Sequence, residues 1–153
     1  MPQPTFTGIS HLDLSVSDID AATDWYVKVL GLRELHRATI DGRKTSVLLA
    51  RDAGLIIGLN EHPGRPEGRF DERRVGLDHV GFDVPERADL DVWERHLVEL
   101  GVEHSPVTDV EVGAALVFRD LDNIQLEIWW TKPREAVLAE RAAAAAASDS
   151  AGS

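Results

Sequence analysis

The chain has 153 residues, enough for one domain with a real core or for two half-size modules that share one, and a core of that size buries roughly 70% of the unfolded surface. Its 27 acidic against 16 basic residues give a net charge of −11, a field that repels phosphate backbones and anionic membranes and so excludes nucleic acid and membrane surfaces as expected partners. There are no cysteines, which excludes thiolate metal sites and cysteine nucleophiles, and the polar opening MPQPTFTGIS reads as neither signal peptide nor membrane span, so the expected location is the cytoplasm.

The first predicted element is a strand in which Leu12, Leu14 and Val16 alternate with His11, Asp13 and Ser15 on the opposite face. A helix follows, capped by Ser17 or Asp18. It carries Ile19, Ala22, Trp25, Tyr26, Val29 and Leu30 at helical spacing and stops at Gly31. Strand-like runs come next, over Leu32 to Ile40, Thr45 to Ala50 and Leu55 to Asn60.

The same order then returns. ISHLDLSVSDIDAATDW from Ile9 aligns with LDHVGFDVPERADLDVW from Leu77 at an offset of 68, placing His11 on His79, Val16 on Val84 and Trp25 on Trp93. The second helix, through Leu90, Trp93, Leu97 and Leu100 to Gly101, reads as two residues longer than the first. Further strands are predicted over Val102 to Thr108, Ala114 to Phe118 and Ile124 to Trp130. Asp122-Asn123 makes a longer turn than Ala53-Gly54, so the last strands align one residue later and Glu127 is matched by Gly58. Trp25 and Trp93 read as core anchors.

These elements give an α+β chain: a first βαβββ module over residues 6–62, an Arg/Pro/Gly linker over 63–75 long enough to fold over a site, and a second module over 76–131. Residues 132–153 read as a helix begun at Pro133 and continued into the alanine run, with about the last six residues disordered.

A lone histidine on a strand is ordinarily a core or surface residue. Two at repeat-equivalent places, joined by a glutamate in a run as apolar as IQLEIWW, point instead to a metal, because that glutamate is costly to bury without a partner. A duplicated module is expected to face its equivalent strands toward one cavity, so that His11, His79 and Glu127 form a two-histidine, one-carboxylate set. Such a set suits Fe, Mn, Ni, Co or Zn, and three protein ligands leave positions open for water or substrate. Asp13, on the face of His11, is the candidate catalytic carboxylate. Gly58, Asn60, Gln125 and Trp129 are the candidate substrate-binding positions, with Gln125 and Trp129 sharing the face of Glu127. His36, His96 and His104 lack repeat partners and read as ordinary histidines. Lys132 and Arg134 read as solvating the start of the terminal helix.

The repeat, the openings ISHLDLSV and LDHVGFDV and the closing VFRDLDNIQLEIWW resemble the glyoxalase, bleomycin resistance and extradiol dioxygenase superfamily, the vicinal oxygen chelate proteins, over about residues 6–131. The resemblance implies an incomplete eight-stranded barrel around one cavity, metal ligation by His11, His79 and Glu127, a small-molecule substrate and a homodimer, in which the two histidines could come from different subunits. Glyoxalase-like lyases and epimerases carry a fourth ligand where this chain has Gly58. A three-ligand site resembles the extradiol dioxygenases instead, since a bidentate substrate and O₂ need three open places on an octahedral ion, and Fe(II) is therefore favoured. The alternatives are a metal-dependent lyase, isomerase or thiol transferase, and a drug-binding protein without turnover.

Overall fold

The duplication seen in the sequence is carried through to the backbone. A computed structural model describes residues 5–151. In it β1 Leu12–Ser15, α1 Ile19–Leu30, β2 Arg33–Ile40, β3 Arg43–Ala50 and β4 Leu55–Glu61 are followed in the same order by β5 Val80–Asp83, α2 Arg87–Leu100, β6 Thr108–Val110, β7 Gly113–Arg119 and β8 Gln125–Thr131, and then by α3 Arg134–Ala151. The sheets have matching orders, β1-β4-β3-β2 and β5-β8-β7-β6. In each, the first strand adds parallel to the last and the other pairs are antiparallel. The architecture is α+β with two tandem βαβββ modules, and neither sheet closes on itself. Contacts divide the chain into two compact units, one holding residues up to Phe70 together with 120–123, the other holding 71–119 and the chain from Ile124 onward.

The helices form where their caps are strong. At α1 the Asp18 carboxylate accepts from the Asp20 and Ala21 backbone N–H groups at 2.9 and 3.0 Å, satisfying two donors that a helix start leaves open. Gly31 ends α1 with φ 65° and Gly101 ends α2 with φ 67°, a left-handed geometry that costs glycine nothing. Between the caps, Ile19, Ala22, Tyr26 and Val29 of α1 are buried on the sheet face that also carries Ser46, Leu48, Ile57 and Leu59. In the second unit Leu90 and Leu97 of α2 are buried with Leu116, Phe118, Leu126 and Ile128. With α2 fourteen residues long and α1 twelve, the two-residue difference read from the glycines is borne out. The tryptophans are not the anchors expected of them: Trp25 and Trp93 are only half-buried, while Tyr26 is 1% exposed.

Two strand expectations are corrected. The strand expected over Val102 to Thr108 shrinks to Thr108–Val110, with His104 making one isolated bridge to Phe118. Pro106 lies between, and a residue without an N–H interrupts a ladder. β3 starts two residues early, at Arg43, because Asp41 (φ 50°) and Gly42 (φ 79°) form a two-residue hairpin turn whose central residues both have positive φ. The helix expected from Pro133 forms as α3, running to Ala151, as an alanine run with no interior glycine or proline favours. Residues 152–153 lie outside the described residues.

The turn Asp120 to Asn123 belongs by its contacts to the first unit. The Tyr26 hydroxyl donates to Asp120 at 2.9 Å, the Ser17 backbone N–H donates to Asp122 at 2.8 Å, and the Asn123 amide donates to the Phe70 carbonyl at 2.8 Å. Asp120 and Asp122 are 5% and 9% exposed, so these bonds satisfy charges that would otherwise be costly to bury. Burial, reinforced by the neighbouring Asp120, pushes the Tyr26 hydroxyl far above its ordinary range, and it stays a donor at any ordinary pH.

Candidate metal centre

The helix-free face of each sheet carries the candidate residues. Side chains alternate along a strand, so once Leu14 and Ile57 pack toward α1, His11, Asp13, Gly58 and Asn60 fall on the other face of the first sheet. In the second, Leu126 and Ile128 pack toward α2, which leaves His79, Gly81, Gln125, Glu127 and Trp129 opposite. Both histidines stand one residue before their strands rather than within them. The register settles the alignment of the last strands: Gly58 pairs with Asp13 and Glu127 with Gly81, so Gly58 and Glu127 are equivalent and Asn60 does not take that place.

Both histidines are prepared in the same way. The residue preceding each one binds its Nδ1: Ser10 Oγ at 2.8 Å from His11, and Asp78 Oδ1 at 2.6 Å from His79. A carboxylate on Nδ1 fixes the proton there and turns Nε2, with its lone pair, outward. Ser10 and Asp78 are themselves related by the 68-residue offset. Sequence reasoning passed over them, although a hydrogen-bonding side chain just before each candidate ligand was the available signal.

In the second unit His79 Nε2 stands 4.0 Å from Glu127 Oε1. Neighbouring donors on one octahedral ion, at ordinary bond lengths of about 2.1 Å, lie about 3 Å apart, so the pair would have to close by about 1 Å to share an ion. His11 lies in the other unit. Among the described residues no three histidine, aspartate or glutamate side chains are gathered as one cluster. Within single units, therefore, the structure brings together His79 with Glu127 and places Asp13 on the strand that follows His11.

Around Glu127 the face is polar at one end and aromatic at the other. Arg119 of β7 donates two bonds to Glu72, at 2.7 and 3.1 Å, and one to the Gln125 amide oxygen at 2.8 Å. The Gln125 carbonyl is thereby held toward Arg119, and its NH₂ remains a donor for the face shared with Glu127. At the other end the Trp129 indole N–H donates to Thr131 at 2.8 Å. A β-carbon on Gly113 would come within 2.2 Å of the Trp130 carbonyl oxygen and 2.6 Å of the Trp129 ring, so both backbone and indole require glycine there. In the first unit Asn60 is 7% exposed and its amide oxygen accepts from the Thr45 hydroxyl at 2.8 Å. His36 is exposed, His96 packs edge-on against Trp93 with ring centroids 5.5 Å apart, and the His104 ring contacts the Ser105 carbonyl at 2.7 Å.

Known proteins resemble this chain in sequence and in fold. The chain is 25% identical over 130 residues to a putative ring-cleaving dioxygenase, MhqA, of Bacillus subtilis (strain 168), covering 81% of this chain and 40% of that protein, so it spans about two-fifths of that relative's length. It is 29% identical over 124 residues to the metallothiol transferase FosB of Shouchella clausii (strain KSM-K16), covering 79% of this chain and 78% of that one. Its fold matches the crystal structure of a glyoxylase/bleomycin resistance protein/dioxygenase domain from Frankia sp. EAN1pec, with a TM-score of 0.79, 38% identity, and 85% and 96% of the two chains covered. Residues 8–128, the stretch from just before His11 to just past Glu127, match the Glyoxalase/Bleomycin resistance protein/Dioxygenase superfamily, and the chain belongs to it.

Proposed function

We propose that this chain is a metal-dependent vicinal oxygen chelate enzyme. His11, His79 and Glu127 hold one divalent ion, and the substrate is a small organic molecule with two neighbouring oxygens. The observation that carries the reading is the His79–Glu127 pair, with Asp78 turning the imidazole Nε2 toward the carboxylate. The ion, when bound, supplies Lewis acidity to the two substrate oxygens and stabilises the anion that forms on them. The chain's own residues do the rest. Gln125 offers its NH₂ to a further acceptor on the substrate, Trp129 walls an aromatic ring, Gly58 and Asn60 line the first-module side, and Asp13 takes the substrate proton. We assign the protein to the cytoplasm as a homodimer. No helix among the described residues is long and apolar enough to cross a membrane.

Of the reactions open to such a site, ring-cleaving oxygenation on Fe(II) is our first assignment, supported by Gly58 in place of a ligating side chain and by the dioxygenase relative. Mn, Ni, Co or Zn would serve the second reading, a thiol transferase or a lyase, which the match to FosB over about four-fifths of both chains favours. Anaerobic loading with Fe(II) followed by oxygen uptake over a panel of catechols separates them. Catechol-dependent uptake supports the first. Its absence, together with Mn(II)-stimulated thiol addition to an epoxide or isomerisation of an α-hydroxycarbonyl, replaces it with the second. Ligand binding that survives chelation, without turnover, would instead make the chain a binding protein.

A further inference from the structure

The second unit holds a cavity that the proposed reaction does not use. It has a volume of about 370 Å³ and lies between the β6–β7 turn, the end of β8 and the first turns of α3. Small-molecule sites ordinarily measure about 300–1,000 Å³. The Lys132 backbone N–H donates to the Val112 carbonyl at 3.0 Å and ties the turn to the chain that enters α3. The cavity reaches β8 only at Thr131, four residues beyond Glu127 and so roughly 13 Å along an extended strand. It is separate from the metal centre.

The wall contributed by α3 is one stripe: Arg134, Val137, Leu138 and Arg141 recur at i, i+3, i+4 and i+7. Its middle is apolar and its ends are cationic. The turn adds Val112, and the end of β8 adds Lys132. Val112 and Leu138 are 47% and 52% exposed, which leaves apolar surface open to an incoming group. The charges do not cancel. Glu140 accepts from Lys132 at 2.9 and 3.1 Å, and Glu111 accepts from Arg141 at 2.5 Å. Asp109 is held by Arg87 at 2.7 and 2.9 Å. Arg134 is exposed and makes no ion pair among the described residues, and Glu135, one position on, lies off the stripe. Three cations against the carboxylates of Glu111 and Glu140 leave one positive charge, on a guanidinium beside an apolar wall.

We infer that this cavity binds an organic monocarboxylate with an apolar body, its head on Arg134 and its tail along Val112, Val137 and Leu138. The guanidinium fork offers a carboxylate two parallel N–H bonds, and the single uncompensated charge matches a single negative one.

The test is calorimetric titration of the full chain with sodium octanoate, and with 1-octanol and acetate, each of which lacks one half of the ligand. Octanoate is expected to bind once per chain, and the other two at least tenfold more weakly. Arg134→Gln removes the partner of the head and is expected to weaken octanoate at least tenfold; Arg134 is exposed, so the fold is expected to stand. Leu138→Ser is expected to weaken it several-fold. Arg95→Gln removes the same charge from an exposed place on α2 and is expected to bind octanoate like the wild type, as is His79→Ala. A wild type that binds no octanoate, or binds octanol equally well, overturns the inference. So does binding that survives Arg134→Gln, or binding that His79→Ala abolishes, which would place the carboxylate at the metal centre instead.

Discussion

A single oxygen atom on Tyr26 joins α1 to a turn that comes 94 residues later in the chain. Tyr26→Phe keeps the ring and its packing and removes only the donor to the buried Asp120, so its cost measures that hydrogen bond. We expect a loss of about 1–3 kcal/mol, read as a lower denaturant midpoint at unchanged slope. Equal stability of the two proteins would show that the Asp120 to Asn123 turn is held by its other bonds. The residue scale is also where the sequence was least legible. Tyr26 was read as one of several apolar positions of α1, and Trp25 beside it as the anchor, because periodicity ranks residues by face and cannot see which of two adjacent aromatics points to the core. Ser10 and Asp78 went unread for a related reason: polar residues before a strand are commonplace, and only the contact with the imidazole gives them a role.

At the scale of elements, the helices and most strands were legible because their signals are local. Asp18, Gly31 and Gly101 mark caps, and alternation marks β1 and β5. β6 was misplaced because its apolar residues run through Pro106, which breaks the ladder that composition suggests. The start of α1 also receives a long-range contribution. Glu61 of β4 accepts from the Ile19 N–H at 2.9 Å and from Lys44 at 2.8 Å. Lys44 first, then the helix-start amide, hold its carboxyl below the ordinary glutamate value of 4.5. Because the folded value is depressed, the stability it contributes is fully present above 4.5 and is lost as pH falls through the lower folded value. Glu61→Gln is expected to lower the melting temperature at about pH 7 and to converge with the wild type once the pH has fallen below the depressed folded value. A constant difference across that range would mean that the charge of Glu61 plays no part.

At the scale of the whole molecule, two modules with the same strand order have kept the same histidine place, and that repeat with its closing run VFRDLDNIQLEIWW is what made the chain's family readable from one sequence. The repeat supplied the fold class, because each module needs only local patterning and the duplication checks each half against the other. The metal ligands were legible only as candidates, because no local pattern tests whether residues far apart in sequence hold one ion. The most direct measurement is metal content after loading the purified chain with a divalent ion under anaerobic conditions and removing the excess. The account predicts one tightly held ion per chain in the wild type, and none in His79→Ala or Glu127→Ala variants that keep their folded circular dichroism. A wild type that emerges metal-free, or variants that retain the ion, would contradict it.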